Sequence, residues 1–524
     1  MLAGRCFTKS VACCHRSVRW RSARAGVAEQ ARRLPDDTID PEWVTAKPYE
    51  SIPGISRWQL VTRFAKGGRY DGLDLTDLHR AMREEFGPLV RIPGVLRRLD
   101  AVMSFNPEDF AKVFRTEGPW PMRRSFQTMS HYREVVRPEI FGEMGGLVTS
   151  QGETWQKMRS LSNPVLMQPK TVNVYVSTMD ETARELIAII SSLRDEKHEL
   201  PQDFIQWVYR WALEVTCVMA LDTRLGALSK NVSTEGQTLL DSVEQVFELT
   251  YELDILPSIW RYYKTPTFKK LMRAYDTMVE IIMSKIEAAL ARIEQNPTSI
   301  DNQSVLYKLL KIDKHVAVVT ALDMMFAGID TTSTSTLGTL YCLATNPDKQ
   351  AKLRDELRTI LPKKDSTLTV DSMRNLPYLR ACIKEGLRMV PPIAGNLRAT
   401  GRNIVLQGYR IPKGTDIAMS SQVLMHDDSV FSRAKEYIPE RWLGGQPEEI
   451  PNAKETHPFV FLPFGFGSRS CVGKRLAMME MEVLLSRLIR QFEFRWNYGE
   501  FKLRTTIINL PGSPLPFEMK DVVD

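Results

Sequence analysis

Phe464-Gly465-Phe466-Gly467-Ser468-Arg469-Ser470-Cys471-Val472-Gly473 is the stretch whose reading decides the fold. An isolated cysteine is ordinarily a small buried hydrophobe. This one sits in a pattern of five positions, Phe464, Gly467, Arg469, Cys471 and Gly473. With equal residue frequencies, a chance match in a chain of this length is on the order of one in ten thousand. The residue types fit one task. Glycines let backbone N–H groups approach the sulfur, and the aromatic ring keeps water off it. That is the setting a thiolate bound to haem iron needs, with the arginine in reach of a haem propionate.

Outward from this loop, the composition is that of an ordinary globular chain: 524 residues, 43% hydrophobic and 25% charged. No Gly/Ser-rich linker, long charge block or repeat period divides it, so one large domain is expected. The net charge of +7 raises nucleic acid as a partner. Its location argues otherwise. Residues 1–33 carry eight basic residues (Arg5, Lys9, Arg16, Arg19, Arg21, Arg24, Arg32, Arg33) and one acid, Glu29. Taking these from the chain's 70 and 63 leaves 62 of each, a neutral remainder with no nucleic-acid signature. The segment 1–33 reads as a mitochondrial transit peptide, leaving 34–524 as the folded domain; a disordered basic tail is the alternative. No apolar core of secretory length follows the first charges. No run approaches the roughly 18 apolar residues of a membrane span, so no transmembrane helix is expected.

Of seven cysteines, Cys6, Cys13 and Cys14 fall in the presequence. Cys217, Cys342, Cys382 and Cys471 form no CxxC pair, and the histidines show no metal-ligand spacing. A disulfide framework and a zinc site are both excluded as readings.

Helical periodicity dominates. It covers Leu75 to Phe86, roughly 170–195, 201–222 and 234–254, and Arg273 to Gln295. His315 to Thr345 is the longest apolar-rich run. Asn346-Pro347 then opens a helix through Ile360, with Asn as cap and Pro in the first turn. Leu376 to Val390 is stopped by Pro391-Pro392, and Lys474 to Gln491 is helical after the cysteine loop. Strand-like pieces are short, Asn403–Ile411 with a bend at Gly408 and Lys502–Leu510. Residues 34–72 are expected to be an extended lead-in rather than a helix. The fold class is mainly α with small β-sheets.

Four further patterns carry chemistry. Ala327-Gly328-Ile329-Asp330-Thr331-Thr332 lies in the longest run. Its small pair lets a planar ligand approach the backbone, and an acid followed by a hydroxyl can relay protons. The bland alternative is a Gly-kinked core helix whose Thr bonds back to its own backbone. Glu385-Gly386-Leu387-Arg388 puts an acid and a base on one helix face, a pairing usually found on solvated surfaces. Pro439-Glu440-Arg441-Trp442 follows downstream. Trp155 and Arg159 share a face at i,i+4, which is often mere packing.

Taken in order, WxxxR, AGxDTT, ExxR, PERW and the cysteine loop resemble the cytochrome P450 family over nearly the whole chain after the presequence. The resemblance implies a cytochrome P450 fold holding haem b, with Cys471 as the axial ligand and Phe464 beside the sulfur. It places Trp155, Arg159, Arg398 and Arg469 at the propionates. It gives Thr331 a hydrogen bond to bound dioxygen, the co-substrate, and makes Asp330 the proton feed from solvent. It joins Glu385, Arg388 and Arg441 into a triad behind the haem. The basic presequence in place of a membrane anchor resembles the mitochondrial class. That class uses basic residues, here Arg380, Lys384, Lys474 and Arg475, to dock a [2Fe-2S] ferredoxin fed by NADPH through a reductase; a solvated basic face is the alternative reading. Phe459 to Phe464 and Cys471 to Arg475 look most like the insect mitochondrial branch, linked to foreign-compound clearance and to moulting-hormone synthesis.

The expectation is therefore a monooxygenase that hydroxylates a hydrophobic small molecule, xenobiotic or steroid-like. An ecdysteroid-type steroid hydroxylase, a peroxide-rearranging relative and a non-catalytic haem carrier or sensor are the rivals. The pocket is expected to be lined by the Pro119–Val148 loop, Leu322–Phe326, Ile393–Leu397 and Ile507–Leu510. The stretch Ile255 to Trp260, bordered by Arg261, Lys264, Lys269 and Lys270, is a candidate for peripheral contact with the matrix side of the inner mitochondrial membrane.

Overall fold

A long apolar helix, Lys314–Ala344, runs through the middle of the molecule. Asp313 caps its start by accepting the Val316 N–H at 2.9 Å, and Pro347 opens the next helix, Pro347–Ile360, three residues past its end. By length and composition it could cross a membrane, but most of it is buried inside the fold. The helices Phe204–Leu221, Pro377–Met389 and Lys474–Gln491 pack around it. Glycines set two of these approaches. A Cβ at Gly338 would meet Val390 at 2.6 Å, and one at Gly386 would meet Thr339 Oγ1 at 2.3 Å. The helix carrying Glu385 and Arg388 is thereby held directly against the central one.

The computed structural model describes residues 40–229, 234–295, 304–499, 501–512 and 516–523. The expected transit peptide, 1–33, lies outside them. Helices predominate and the sheets are small, as expected. Leu75–Phe86 and Lys474–Gln491 match the sequence reading end to end. Pro266–Gln295 begins a full two turns earlier than the periodicity indicated.

Three readings of the sequence are corrected. Residues 34–72 hold a helix, Arg57–Phe64, because Ser56 and Gln59 close a reciprocal capping box. Asn403–Ile411 and Lys502–Leu510 are hairpins rather than single strands: Ile404–Leu406 pairs with Tyr409–Ile411, and Leu503–Thr505 with Asn509–Pro511. The first turns at Gln407-Gly408, where φ is +48° and +78°. The helix 234–254 stops at Thr250 and continues as a π-helical turn, Tyr251–Ile255.

A four-stranded sheet was not anticipated. Its order is Leu89–Ile92, Ala101–Ser104, Asp416–Met419, Asn396–Ala399. The outer pairs are antiparallel and the central pair, Val102 opposite Ile417, is parallel. The sheet gathers a second, smaller core, with Val90, Val102, Phe105, Phe110 and Ile417, beside the main helical one. Its last strand carries Arg398 inward.

Candidate functional site

The cysteine loop is shaped by its glycines. Gly465 and Gly467 adopt φ of +70° and +72°, left-handed values that disfavour side chains. A Cβ at Gly467 would also sit 2.6 Å from Glu117 Oε1. The turn is closed by Gly465 N–H donating to Leu462 O at 2.9 Å and Cys471 N–H to Phe464 O at 2.8 Å. Helix Lys474–Gln491 starts just past the cysteine, and its N-terminus favours negative charge on the sulfur. Burial raises the Cys471 thiol; the Gly473 N–H, Arg159, Arg123 and Lys474 all act to lower it. Cys471 nevertheless presents accessible surface, whereas Cys217, Cys342 and Cys382 are buried. Phe464 is half-buried at the loop's start, under the Lys474 ammonium 5.5 Å from its ring.

Around this loop the structure collects arginines. Trp155 and Arg159 both lie buried on helix Gly152–Leu166. The Arg469 guanidinium stacks 4.3 Å over the Trp155 ring and donates to Pro121 O and Ser150 O at 2.7 and 2.6 Å. Arg159 donates to Ser470 O at 2.7 Å. Arg398 pairs with Glu117 at 2.8 Å. Arg123, which the sequence reading passed over, joins them. It feels Arg398, Arg159 and the Cys471 sulfur, and burial lowers it to about 10. Arg469 is lowered to about 8 by burial and then by Arg123 and Arg398. Guanidinium groups are ordinarily always charged, so the cluster is short of anions; Glu117 faces Arg398 and Arg469, and Asp323 acts on Arg123. Three buried N–H groups, Arg123 Nε, Arg159 Nε and one terminal nitrogen of Arg469, have no acceptor. A ligand bearing two carboxylates beside a thiolate-binding centre supplies both missing features. The residues present therefore fit haem. The sequence held a signal for Arg123, the basic pair Arg123-Arg124 within the expected pocket loop. Its neighbour Arg124 is committed to Asp416 at 2.9 Å.

On the central helix, every residue from Val316 to Leu340 is buried except Met324, Ala327, Gly328 and Thr331. Their spacing puts these four on one face. They form an accessible stripe, small at Ala327, Gly328 and Thr331, on an otherwise buried helix, the surface a planar ligand could approach. The Thr331 hydroxyl donates to Ala327 O at 2.7 Å, the back bond foreseen as the bland reading. That bond uses the proton of Oγ1 and leaves its lone pairs free to accept. Asp330 points elsewhere. It is buried, its Oδ2 has no partner, and burial with Glu244 beyond it raises it to about 7. Phe326, on the same helix, is buried in the core, where it stacks on Phe247 at 4.8 Å and meets Phe126 edge-on at 5.6 Å.

The triad forms as the pattern implied. Glu385 accepts from Arg388 at 3.0 and 2.7 Å and from Arg441 at 3.0 Å. Trp442 Nε1 and the Ile438 N–H add bonds at 2.8 and 3.1 Å. The proposed docking cations are drawn together only in part. Lys384, Lys474 and Arg475 are exposed, and Lys384 is lowered by burial and then by Lys474 and Arg380. Arg380 is instead held by Glu482 at 2.9 Å and by two backbone carbonyls. The Ile255–Trp260 stretch is mostly half-buried. Trp260 is buried, stacked on Phe268 at 5.4 Å, and the outward apolar residues are Ile259, Tyr262 and Tyr263.

Comparison with known proteins places this geometry. The family described as Cytochrome P450 matches residues 53–510. The chain is 44% identical over 519 residues to cytochrome P450 CYP12A2 of Musca domestica, covering 96% of this chain and 97% of that one. It is 41% identical to cytochrome P450 12b1, mitochondrial, of Drosophila acanthoptera, over 87% of each. It is also 41% identical to the probable cytochrome P450 12a5, mitochondrial, of Drosophila melanogaster, over 92% and 93%. Among solved structures, the crystal structure of cytochrome P450DA heme domain shares the fold with a TM-score of 0.71 at 18% identity. That match covers 91% of this chain and 98% of that one.

Proposed function

The chain belongs to the cytochrome P450 family of haem-thiolate monooxygenases, and from that premise we propose that it is a mitochondrial enzyme hydroxylating an apolar small molecule with electrons from a [2Fe-2S] ferredoxin. RH, O2, two electrons and two protons give ROH and water. The electrons leave NADPH through a ferredoxin reductase.

One observation carries the reading. The accessible cysteine sits among arginines that outnumber the acids facing them, and the buried central helix carries one accessible stripe. Bound there, haem supplies reductive activation of dioxygen. Cys471 would be the ligand: burial holds its thiol up, and the Gly473 N–H and the start of the helix that follows are the groups that favour the anionic sulfur against that burial. Arg123, Arg159, Arg398 and Arg469 are the donors for the two carboxylates. Trp155 keeps Arg469 in place from beneath. Thr331 holds an accepting oxygen on the accessible stripe, and Asp330 stores a proton in a dry position, with a pKa suited to release near neutrality.

The relatives named mitochondrial, together with the basic segment 1–33, support the mitochondrion; the matrix side of the inner membrane is this proposal's own step. Lys384, Lys474 and Arg475 form the exposed part of a basic patch suited to an acidic ferredoxin. Ile259, Tyr262 and Tyr263 are the residues offered to a membrane surface. The apolar surroundings of the central helix suit xenobiotics and steroids alike; an ecdysteroid-type substrate is the second reading. A carrier or sensor is disfavoured because it has no use for a buried proton store beside the accessible stripe.

The deciding experiment is a carbon monoxide difference spectrum of the reduced protein. The expected result is the thiolate-ligand band, abolished in Cys471→Ser. A colourless protein, or a Cys471→Ser spectrum identical to the parent's, overturns the reading.

A further inference from the structure

Two of the exposed docking cations lie over aromatic rings. The Lys384 ammonium is 5.9 Å from the centre of the Trp442 ring, and the Lys474 ammonium is 5.5 Å from that of Phe464. The segment that leads into the cysteine loop joins the two rings. Trp442 meets Phe461 with ring centres 4.6 Å apart and planes inclined at 43°. From Phe461 the chain runs through Leu462 and Pro463 to Phe464, whose carbonyl accepts the Cys471 N–H at 2.8 Å. Trp442, Phe461 and Phe464 are all half-buried beside the exposed Lys384 and Lys474.

The triad does not account for this packing. It uses only the edge of Trp442, whose Nε1–H donates to Glu385 Oε2 at 2.8 Å. The ring itself is left to Lys384, to Phe461 and to Phe431 at 6.2 Å. An electron entering at the patch has to cross protein to reach the sulfur. Tunnelling weakens far more across a gap than along bonds and close contacts. Here one ring contact, a short run of chain and one hydrogen bond form an unbroken line to Cys471.

We propose that Trp442 and Phe461 bridge the passage of the electron from the docked ferredoxin to the Cys471 sulfur, with Lys384 and Lys474 holding the partner's acidic face over the two ends of the line. This deepens the ferredoxin reading and rests on it. One electron passes per encounter. The reduced [2Fe-2S] cluster gives it up and is oxidised, and it is gained at the iron that Cys471 would hold, which is reduced. Neither ring is oxidised, no covalent bond forms or breaks, and no proton moves. Trp442 and Phe461 are therefore positioning residues for electron entry.

The test is reduction of the haem-loaded protein by photoreduced ferredoxin, followed optically under carbon monoxide as the ferredoxin concentration is raised to saturation. The limiting rate reads the route, and the half-saturating concentration reads docking. Phe461→Leu keeps an apolar side chain and removes the ring. It is expected to lower the limiting rate severalfold and to leave the half-saturating concentration at the parent value. Trp442→Leu is expected to lower the limiting rate likewise. Trp442→Phe keeps a ring but loses the bond to Glu385, so its urea midpoint should fall while its limiting rate stays close to the parent's. Parent-like limiting rates in the leucine variants overturn the route. A Trp442→Phe protein as slow as Trp442→Leu also overturns it, because the loss then follows the Glu385 bond and not the ring. Dithionite reduction under carbon monoxide is recorded on every sample, and Phe461→Leu decides alone where Trp442→Leu holds no haem. A parent that dithionite brings to the thiolate band but ferredoxin does not reduce sinks the ferredoxin reading. A parent that ferredoxin reduces, with Phe461→Leu as fast, sinks only the route.

Discussion

Replacing Glu385 by Gln tests what the triad contributes. In the parent, one carboxylate faces two guanidinium groups, all three side chains being at most 1% exposed. The arginines do not depend on it for hydrogen bonds alone. Arg388 also donates to Met425 O, Ala434 O and Glu436 O at 3.0, 2.6 and 2.8 Å. Arg441 also reaches Ser432 O and Arg433 O at 2.8 and 3.1 Å. Glutamine keeps the shape and one acceptor oxygen, but it removes the single negative charge and aims an NH2 at a ring of donors. Two outcomes are thereby separated. If carbonyl dipoles sufficed to solvate the arginines, the loss would be that of one or two neutral hydrogen bonds, about 1–2 kcal/mol. If charge balance is what matters, two buried cations are left unpaired and the cost is about 3–5 kcal/mol. The second is expected, a large share of the roughly 5–15 kcal/mol that holds a typical fold together. The assay is a urea transition of haem-loaded protein at matched haem occupancy, read as the shift in midpoint at constant slope. A Glu385→Gln protein within about 1 kcal/mol of the parent would refute the charge argument.

Three further outcomes are expected. Thr331→Ala removes the accepting oxygen on the accessible stripe; NADPH consumption should persist while product per NADPH falls about tenfold or more, the remainder appearing as peroxide, and tightly coupled hydroxylation would exclude the role. Glu480 is buried near Thr332 and pushed up to about 8 from its ordinary 4.5. A raised carboxyl binds its proton more tightly folded than unfolded, so its contribution is intact below about pH 4.5 and is lost as pH rises toward 8. Glu480→Gln should therefore gain on the parent in urea midpoint as pH climbs through that window, and a gap that stays flat with pH would contradict the burial. Lys474→Glu combined with Arg475→Glu should weaken ferredoxin binding at low ionic strength and lose most of its effect in high salt; unchanged low-salt affinity, measured by titration, removes the patch.

What was legible in the sequence divides along physical lines. Glu385, Arg388, Cys471 and the Trp155–Arg159 pair could be read because each motif is local, its spacing fixing a helix face or a loop. The long helices could be read because apolar periodicity accumulates over many turns. The four-stranded sheet could not. Each strand is four residues long, and Val102 finds Ile417 across more than three hundred positions of chain. Glu117 belongs to no local pattern and the Arg123-Arg124 pair assigns no role by itself; only folding brings Glu117 and Arg123 to Arg398 and Arg469. Helix Arg57–Phe64 is different in kind. Its capping box, Ser56 with Gln59, was on view, and the surrounding Pro and Gly outweighed it.

The two arginine clusters show how a structural ion set is told from a ligand-binding one. Both are buried, both hold more cations than anions, and both contain one glutamate. At Glu385 the surplus is sheathed by backbone carbonyls, and no nitrogen of Arg388 or Arg441 is left without an acceptor. That cluster is complete and can only hold the helices where they are. At Glu117 the surplus is larger, Arg469 is driven down to about 8 by burial and then by Arg123 and Arg398, and N–H groups of Arg123, Arg159 and Arg469 lack acceptors. Packing forces cannot justify that arrangement, because each unpaired buried donor costs about 1–3 kcal/mol and hydrophobic replacements would cost less. Arginines assembled at such expense are kept for an anion that arrives from outside the chain, and the thiol beside them says which one.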